Sequence, residues 1–449
     1  MSKNTHKSAK KPAAKIRYQH TGKKLTSQAG IIPAMHFLDH IGFTEACQKH
    51  LDLQRGNSAR YSLGDSIYLT IIGIIAGATS LRKVVFVWAD QVLREVGGWL
   101  SIPDDCTLGR IFRCGKLTHV TQLEQINHIL RQGVWHRALK SGTWLPGTLY
   151  RGWIDVDSTV KTVYGQQEGA EKGYNPTKKG SNSYHPLVAF CSHTKEILQA
   201  WLRSGSTYTS NGIVGFMQQL SAQMPPRMRL LFRGDSGFFV GELMDWLDQA
   251  RHGYLIKVKL KGLAALLDKQ AWQRVPGHTG WEQCDFFHQC GQWERARRFV
   301  AVRRKTAFIT KGPQQALLNE PVYDYFCYVT TERLSPWQAH TTYGKRATCE
   351  TWLDEAKNQM GLAQIKSHDF MASSLLFQCA VLAYNTVRWM ALLSDNDELK
   401  RWEIQTIRTF LVRTAGQLLR GGNQLKVKVP SNHLHPTPWA DWLKLSFIH

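Results

Sequence analysis

Trp153-Ile-Asp155-Val-Asp157-Ser-Thr159 is the stretch on which the fold turns. Upstream of it apolar residues recur at helical spacing, whereas from about residue 149 they alternate, as they do in a half-buried strand. Side chains two apart on a strand share a face, so Asp155 and Asp157 project together, the second where the strand ends. Residues 183–191 and 197–202 read as two further strands joined by a polar turn, and three strands in succession imply an antiparallel meander. Ile213, Phe216, Met217 and Leu220 then fall at helix spacing. Leu230-Leu-Phe-Arg233-Gly-Asp235-Ser-Gly237 reads as a buried strand ending on a carboxylate. A helix with Leu243, Trp246, Leu247 and Ala250 inward follows it, and residues 253–259 form a fifth strand. The order is three strands, helix, strand, helix, strand, an α/β arrangement. Neighbouring strands of one mixed sheet can bring Asp157 and Asp235 together. Two divalent cations held there, about 4 Å apart, suit phosphoryl transfer.

A third carboxylate comes from Tyr343-Gly-Lys-Arg346-Ala-Thr-Cys-Glu350-Thr-Trp-Leu-Asp354-Glu-Ala-Lys357. On one continuous helix turning about 100° per residue, Tyr343, Arg346, Glu350 and Lys357 lie at roughly 0°, −60°, −20° and −40°, all on one face. A carboxylate flanked by a guanidinium, an ammonium and a phenol suits a cation-bound acid working beside phosphodiesters. The competing reading is a solvated face with ion pairs one turn apart.

Composition supports the first reading. At 449 residues the chain should hold two or three domains. Its formal charge of +23 calls for a polyanionic partner. Sixteen Trp and 43% hydrophobic residues indicate large packed cores rather than a basic tail alone. Nine cysteines without a repeated spacing read as reduced thiols. Cys284, His288 and Cys290 lie close together but lack the second ligand pair of a zinc site. The N-terminus lacks the apolar centre of a signal peptide, and the apolar run at 67–78 is too short to span a bilayer.

The motifs Asp157-Ser-Thr and Arg233-Gly-Asp235-Ser-Gly-Phe, together with Tyr343, Arg346, Glu350 and Lys357, resemble those of the DDE transposases of bacterial insertion sequences. The branch is the one marked by Y-x2-R-x3-E-x6-K, the DDE domain group 1 type, and all four positions match. The resemblance covers roughly residues 149–393. It implies a ribonuclease H-like catalytic core interrupted by a mostly β insertion, with Asp157, Asp235 and Glu350 as catalytic metal ligands for two Mg2+ ions, or Mn2+. It implies further that Tyr343, Arg346 and Lys357 contact DNA. Asp155 competes with Asp157, which is favoured because it is nearer the strand end. Asp354 competes with Glu350, which the spacing selects. Lys178 and Lys179, in the loop entering the second strand, are read as tracking DNA. Among Trp272, Trp281, Trp293 and Trp337, which lie in or beside the insertion, related enzymes hold a flipped base against one Trp; which one does so here, if any, stays open.

The expected organisation is a basic disordered tail (1–25), a helical DNA-binding or assembly region (26–145), a catalytic core (146–259 and 336–395), a β-rich insertion (260–335) and a C-terminal segment with a hairpin (396–449). Residues 102–112 read as a turn and a capped short helix carrying Arg110 and Arg113, with helix packing favoured over a helix-turn-helix. The implied activity is cut-and-paste transposition, through a hairpin if one forms. Its partners are transposon-end DNA with inverted repeats, target DNA and a second copy in a homodimeric synaptic complex. No membrane is involved, and the expected location is cytoplasmic, at the bacterial nucleoid. A non-catalytic DNA-binding descendant is disfavoured by the intact acids, and joined products would exclude a nuclease of the same fold.

Overall fold

The computed structural model describes residues 16–143 and 151–447, apart from 54, 57, 58, 174, 176, 177, 227, 292, 310–319, 366 and 423. Most of the expected tail therefore lies outside the described residues. After a short strand β1 (Lys24–Thr26) come seven helices: α1 (Ile32–His40), α2 (Phe43–His50), α3 (Leu63–Ala76), α4 (Leu81–Trp88), α5 (Gln91–Val96), α6 (Asp105–Arg113) and α7 (Leu117–Lys140). A Ser62–Asp65 capping box starts α3 and Gly77, in the left-handed region, ends it. Apolar on nearly every side, α3 is buried almost throughout. Asp104 caps α6, which turns Leu108, Ile111 and Phe112 inward and leaves Arg110 and Arg113 exposed.

The sheet read from the sequence is present. Its strands are β2 (Arg151–Ser158), β6 (Leu187–Cys191), β7 (Ile197–Trp201), β8 (Arg229–Gly234) and β9 (Gly253–Lys257), with α8 (Ile213–Ala222) and α9 (Gly241–Gln249) between the later ones. The spatial order is β9-β8-β2-β6-β7: β2 runs parallel to β8 and antiparallel to β6. The long entry to β6 carries a small sheet of β3 (Lys161–Thr162), β4 (Glu171–Lys172) and β5 (Asn182–Tyr184).

Residues 260–335 contain α10 (Leu263–Asp268), β10 (Gln273–Arg274), β11 (Trp281–His288), β12 (Arg297–Ile309) and β13 (Glu320–Thr330). They extend the same sheet: β13 pairs with β9 through Val329 opposite Ile256, making nine strands in all. After α11 (Pro336–Gly344) and α12 (Ala347–Asp354), the helix α13 (Phe370–Leu393) packs on α3, α7 and β7. An 18-residue window of α13 has a mean hydropathy of 1.4, and 89% of that window is buried inside the protein, as befits a core helix. Beyond α14 (Asp397–Arg401) and α15 (Ile404–Ile407), the hairpin β14 (Gly416–Gly421) and β15 (Gln424–Lys428) takes β1 as its third strand. The last helix, α16 (Pro436–Lys444), seats Trp442, whose indole N–H donates to the Gly30 carbonyl at 2.8 Å. The C-terminal segment is thus closed onto the N-terminal helices.

Candidate active site

The parallel ladder between β2 and β8 runs up to Asp155 opposite Arg233, two residues short of Asp157 and Asp235. Both carboxylates therefore emerge at the same end of adjacent strands. Each is tied to the backbone that follows it: the Ser158 N–H donates to Asp157 Oδ1 at 2.9 Å and the Gly237 N–H to Asp235 Oδ1 at 2.8 Å.

Asp155 shares the face of Asp157 but not its situation. It is fully buried, and its two oxygens accept from Arg233 Nε at 2.5 Å and Nη2 at 2.7 Å. The same guanidinium donates to the Thr342 carbonyl at 2.5 Å and to Ser192 Oγ at 3.1 Å. A carboxylate engaged in this bidentate pair has no lone pairs facing solvent, so Asp155 and Arg233 together fasten α11 to the sheet beside Tyr343. Nothing in the sequence signalled this partnership, because it depends on the register of two strands far apart in the chain.

The stretch 343–357 is not one continuous helix, which corrects the angular reading. Helix α11 stops at Gly344, a turn spans Lys345 and Arg346, and α12 gives way to a π-helical turn at Glu355–Gln359. Around the turn the N–H groups of Arg346 and Cys349 reach back only three residues, to Tyr343 and Arg346. Gly344 is a poor helix former at the point where the chain tightens. Tyr343, Arg346 and Glu350 nevertheless meet. Buried Arg346 places Nη2 3.0 Å from Asp157 Oδ2 and Nη1 3.6 Å from Glu350 Oε1. Its Nε is buried without an acceptor among the described residues. Burial pushes the Tyr343 phenol up to about 12 against the pull of Arg346, with Asp235, Asp157 and Glu350 adding to the rise. Its ring packs on Tyr328, 4.7 Å between centroids.

Lys357 sits half-buried in the π turn, with no partner for its ammonium among the described residues. The turn is held by Glu355, buried against Arg388 of α13. Asp354 is exposed and accepts from Asn358 at 2.6 Å. Lys178 and Lys179 are exposed near the small sheet, where the Lys178 ammonium bonds the Tyr164 hydroxyl at 2.5 Å. Trp281 and Trp337 pack edge to face, 5.1 Å apart, beside His340. Trp272 lies under the Arg303 guanidinium and Trp293 against Phe239.

Three carboxylates are hard oxygen donors of the kind that divalent cations take. Burial, outweighing the pull of Arg346, pushes the Asp157 carboxyl up to about 6, with Asp235 and Glu350 adding repulsion that a cation would relieve. The residues fit such ions, although the three acids do not yet share one ligand sphere: among the described residues only Asp104, Asp105 and Cys106 bring three ligand atoms within 4.8 Å of one another. Those three belong to the exposed start of α6, where Asp104 is the cap. Cys284, His288 and Cys290 form no such group. The side chain of Glu350, 68% exposed, is free to turn toward the aspartates.

No curated protein matches the chain. Among solved structures it is similar to a piggyBac transposase, seen by cryo-EM in a synaptic complex with hairpin DNA. The two share 14% identity with a TM-score of 0.43 over 87% of this chain and 83% of that one. The family description "transposase DDE domain group 1" matches residues 8–445, and the chain belongs to that family.

Proposed function

We propose that this transposase cuts DNA at the ends of an insertion sequence and joins the freed strand to target DNA. In this reading the five strands β9-β8-β2-β6-β7 are a ribonuclease H-like core, and Asp157, Asp235 and Glu350 hold two divalent ions, Mg2+ or Mn2+. The observation that carries it is the meeting of Asp157 and Asp235 at the ends of neighbouring parallel strands, with Arg346 lying between Asp157 and Glu350. Bound ions would supply an activated water and stabilise the leaving oxygen. The chain's own groups then orient the strand. Arg346, with a buried donor still unfilled, is placed to take a phosphate oxygen, and Lys357 presents a second cation on the same segment. The first cut frees a 3′-hydroxyl, which attacks a phosphodiester, on the opposite strand where a hairpin forms and later in target DNA. The charge of +23 supplies general affinity for inverted-repeat ends and target, and a homodimer would hold two ends at once.

The test is a plasmid carrying the gene with its native flanking DNA, incubated with purified protein and Mg2+ or Mn2+. Excised and joined products are expected from the wild type and from neither Asp157→Asn nor Asp235→Asn. Cleavage by either variant would overturn the assignment.

A further inference from the structure

The loop between β7 and α8 reaches the residues next to the two aspartates and carries an exposed aromatic side chain. Thr209 Oγ1 lies 3.2 Å from Ser158 Oγ, next to Asp157. The Thr209 methyl lies 3.1 Å from where a Cβ on Gly237, next to the Asp235 strand end, would stand. Its neighbour Tyr208 is 77% exposed.

That loop is held from beneath by a buried cation. Arg203 is 8% exposed, and its Nη1 donates to the carbonyls of Asn211 at 2.8 Å, Thr209 at 3.3 Å and Tyr208 at 3.4 Å. Its Nε donates to the His185 carbonyl at 3.0 Å. Desolvation lowers the Arg203 pKa to about 10, so the guanidinium is kept buried at a cost that backbone carbonyls offset. His185 Nδ1 grips the same loop at the Thr207 carbonyl, 2.5 Å away. A loop fixed at this many carbonyls is a rigid mount, and it holds an exposed phenol ring one residue from Thr209.

We infer that Tyr208 is a substrate-contacting residue that stacks on a nucleobase of the strand being cut. The inference rests on the reading of the aspartates as a DNA-cleaving site. A flat aromatic on a rigid mount can stack on any base, since every base offers a π face, and so holds the strand without reading its sequence. The phosphate contacts fall to Arg346 and Lys357, in the turns before and after α12.

The same plasmid assay tests this with Tyr208→Ala and Tyr208→Phe. From the usual worth of one stacked base, Tyr208→Ala should slow cleavage by about five- to 150-fold. Tyr208→Phe should stay within about twofold of wild type, because stacking needs the ring and not the hydroxyl. Thermal stability should change little in either, since the side chain is exposed. Wild-type cleavage by Tyr208→Ala, or an equal loss in Tyr208→Phe, would overturn the inference. An inactive Asp157→Asn beside a fully active Tyr208→Ala would sink this inference alone, whereas an active Asp157→Asn would sink the function itself.

Discussion

Asp155 and Asp157 stand two residues apart on one face of one strand, and the structure assigns them opposite effects on stability. Replacing Asp155 by Asn turns an amide N–H2 toward Arg233, a guanidinium 1% exposed that then loses half of its bidentate partner. Breaking a buried pair in this way costs about 3–5 kcal/mol. At roughly 2.1 cal/mol/K of unfolding entropy per residue over 449 residues, Tm falls by about 3–5 °C. Replacing Asp157 instead removes a carboxylate whose ionisation the fold opposes even with Arg346 beside it, its pKa standing near 6 rather than 3.8 after the attraction of that guanidinium is included. At pH 7.5 in EDTA that opposition is worth about 3 kcal/mol, so Asp157→Asn should melt about 3 °C above wild type. Scanning calorimetry of the three proteins in EDTA is the assay. If both substitutions shift Tm in the same direction, the division between a fastening acid and a working acid is wrong.

The Asp157 effect has a defined pH window: a raised carboxyl pKa means ionisation is penalised fully above about pH 6 and not at all below about 4, so the advantage of Asp157→Asn should vanish on acidification through that range. Adding Mg2+ or Mn2+ should raise the Tm of wild type and leave Asp157→Asn unmoved, which a thermal shift titration reads directly. Glu350→Gln should abolish excision while Asp354→Asn, exposed and facing Asn358, retains it; the reverse result in the plasmid assay would place the third acid one helical turn away. Because binding depends on phosphate contacts, affinity for the native end measured by anisotropy should fall steeply with salt, and a flat profile would assign the charge of +23 to some other purpose.

How much could be read in advance depended on the range of the forces involved. The change of period at residue 149, the five strands and their two terminal acids are written in local alternation, and the α/β sheet followed from them. Arg346 beside Glu350 was likewise legible, since four residues of spacing put the two one helical turn apart, whereas its pairing with Asp157 depends on how that segment docks on the sheet. The break at Gly344 and the π turn at Glu355 were not, because the second is held by Arg388, more than thirty residues further on. The Asp155–Arg233 pair needed strand register, and the Arg203 loop needed tertiary burial of a cation. Strand β11 escaped notice because Trp281-Glu-Gln-Cys-Asp-Phe-Phe-His288 is half-exposed along most of its length and shows little alternation.

The unbroken sheet gives the molecule a mechanical character. Because β13 is hydrogen-bonded to β9, the segment 260–335 is not a flap on a hinge: swinging it would mean tearing a backbone ladder. The 13 residues of β12, at about 3.4 Å each, make a spar roughly 44 Å long running alongside strands continuous with those that carry the acids. Anything gripped at the far end of that spar stands at a fixed distance from Asp157 and Asp235. The protein is built as a ruler, and whatever adjustment the two ends require must come from the flexible partner laid along it.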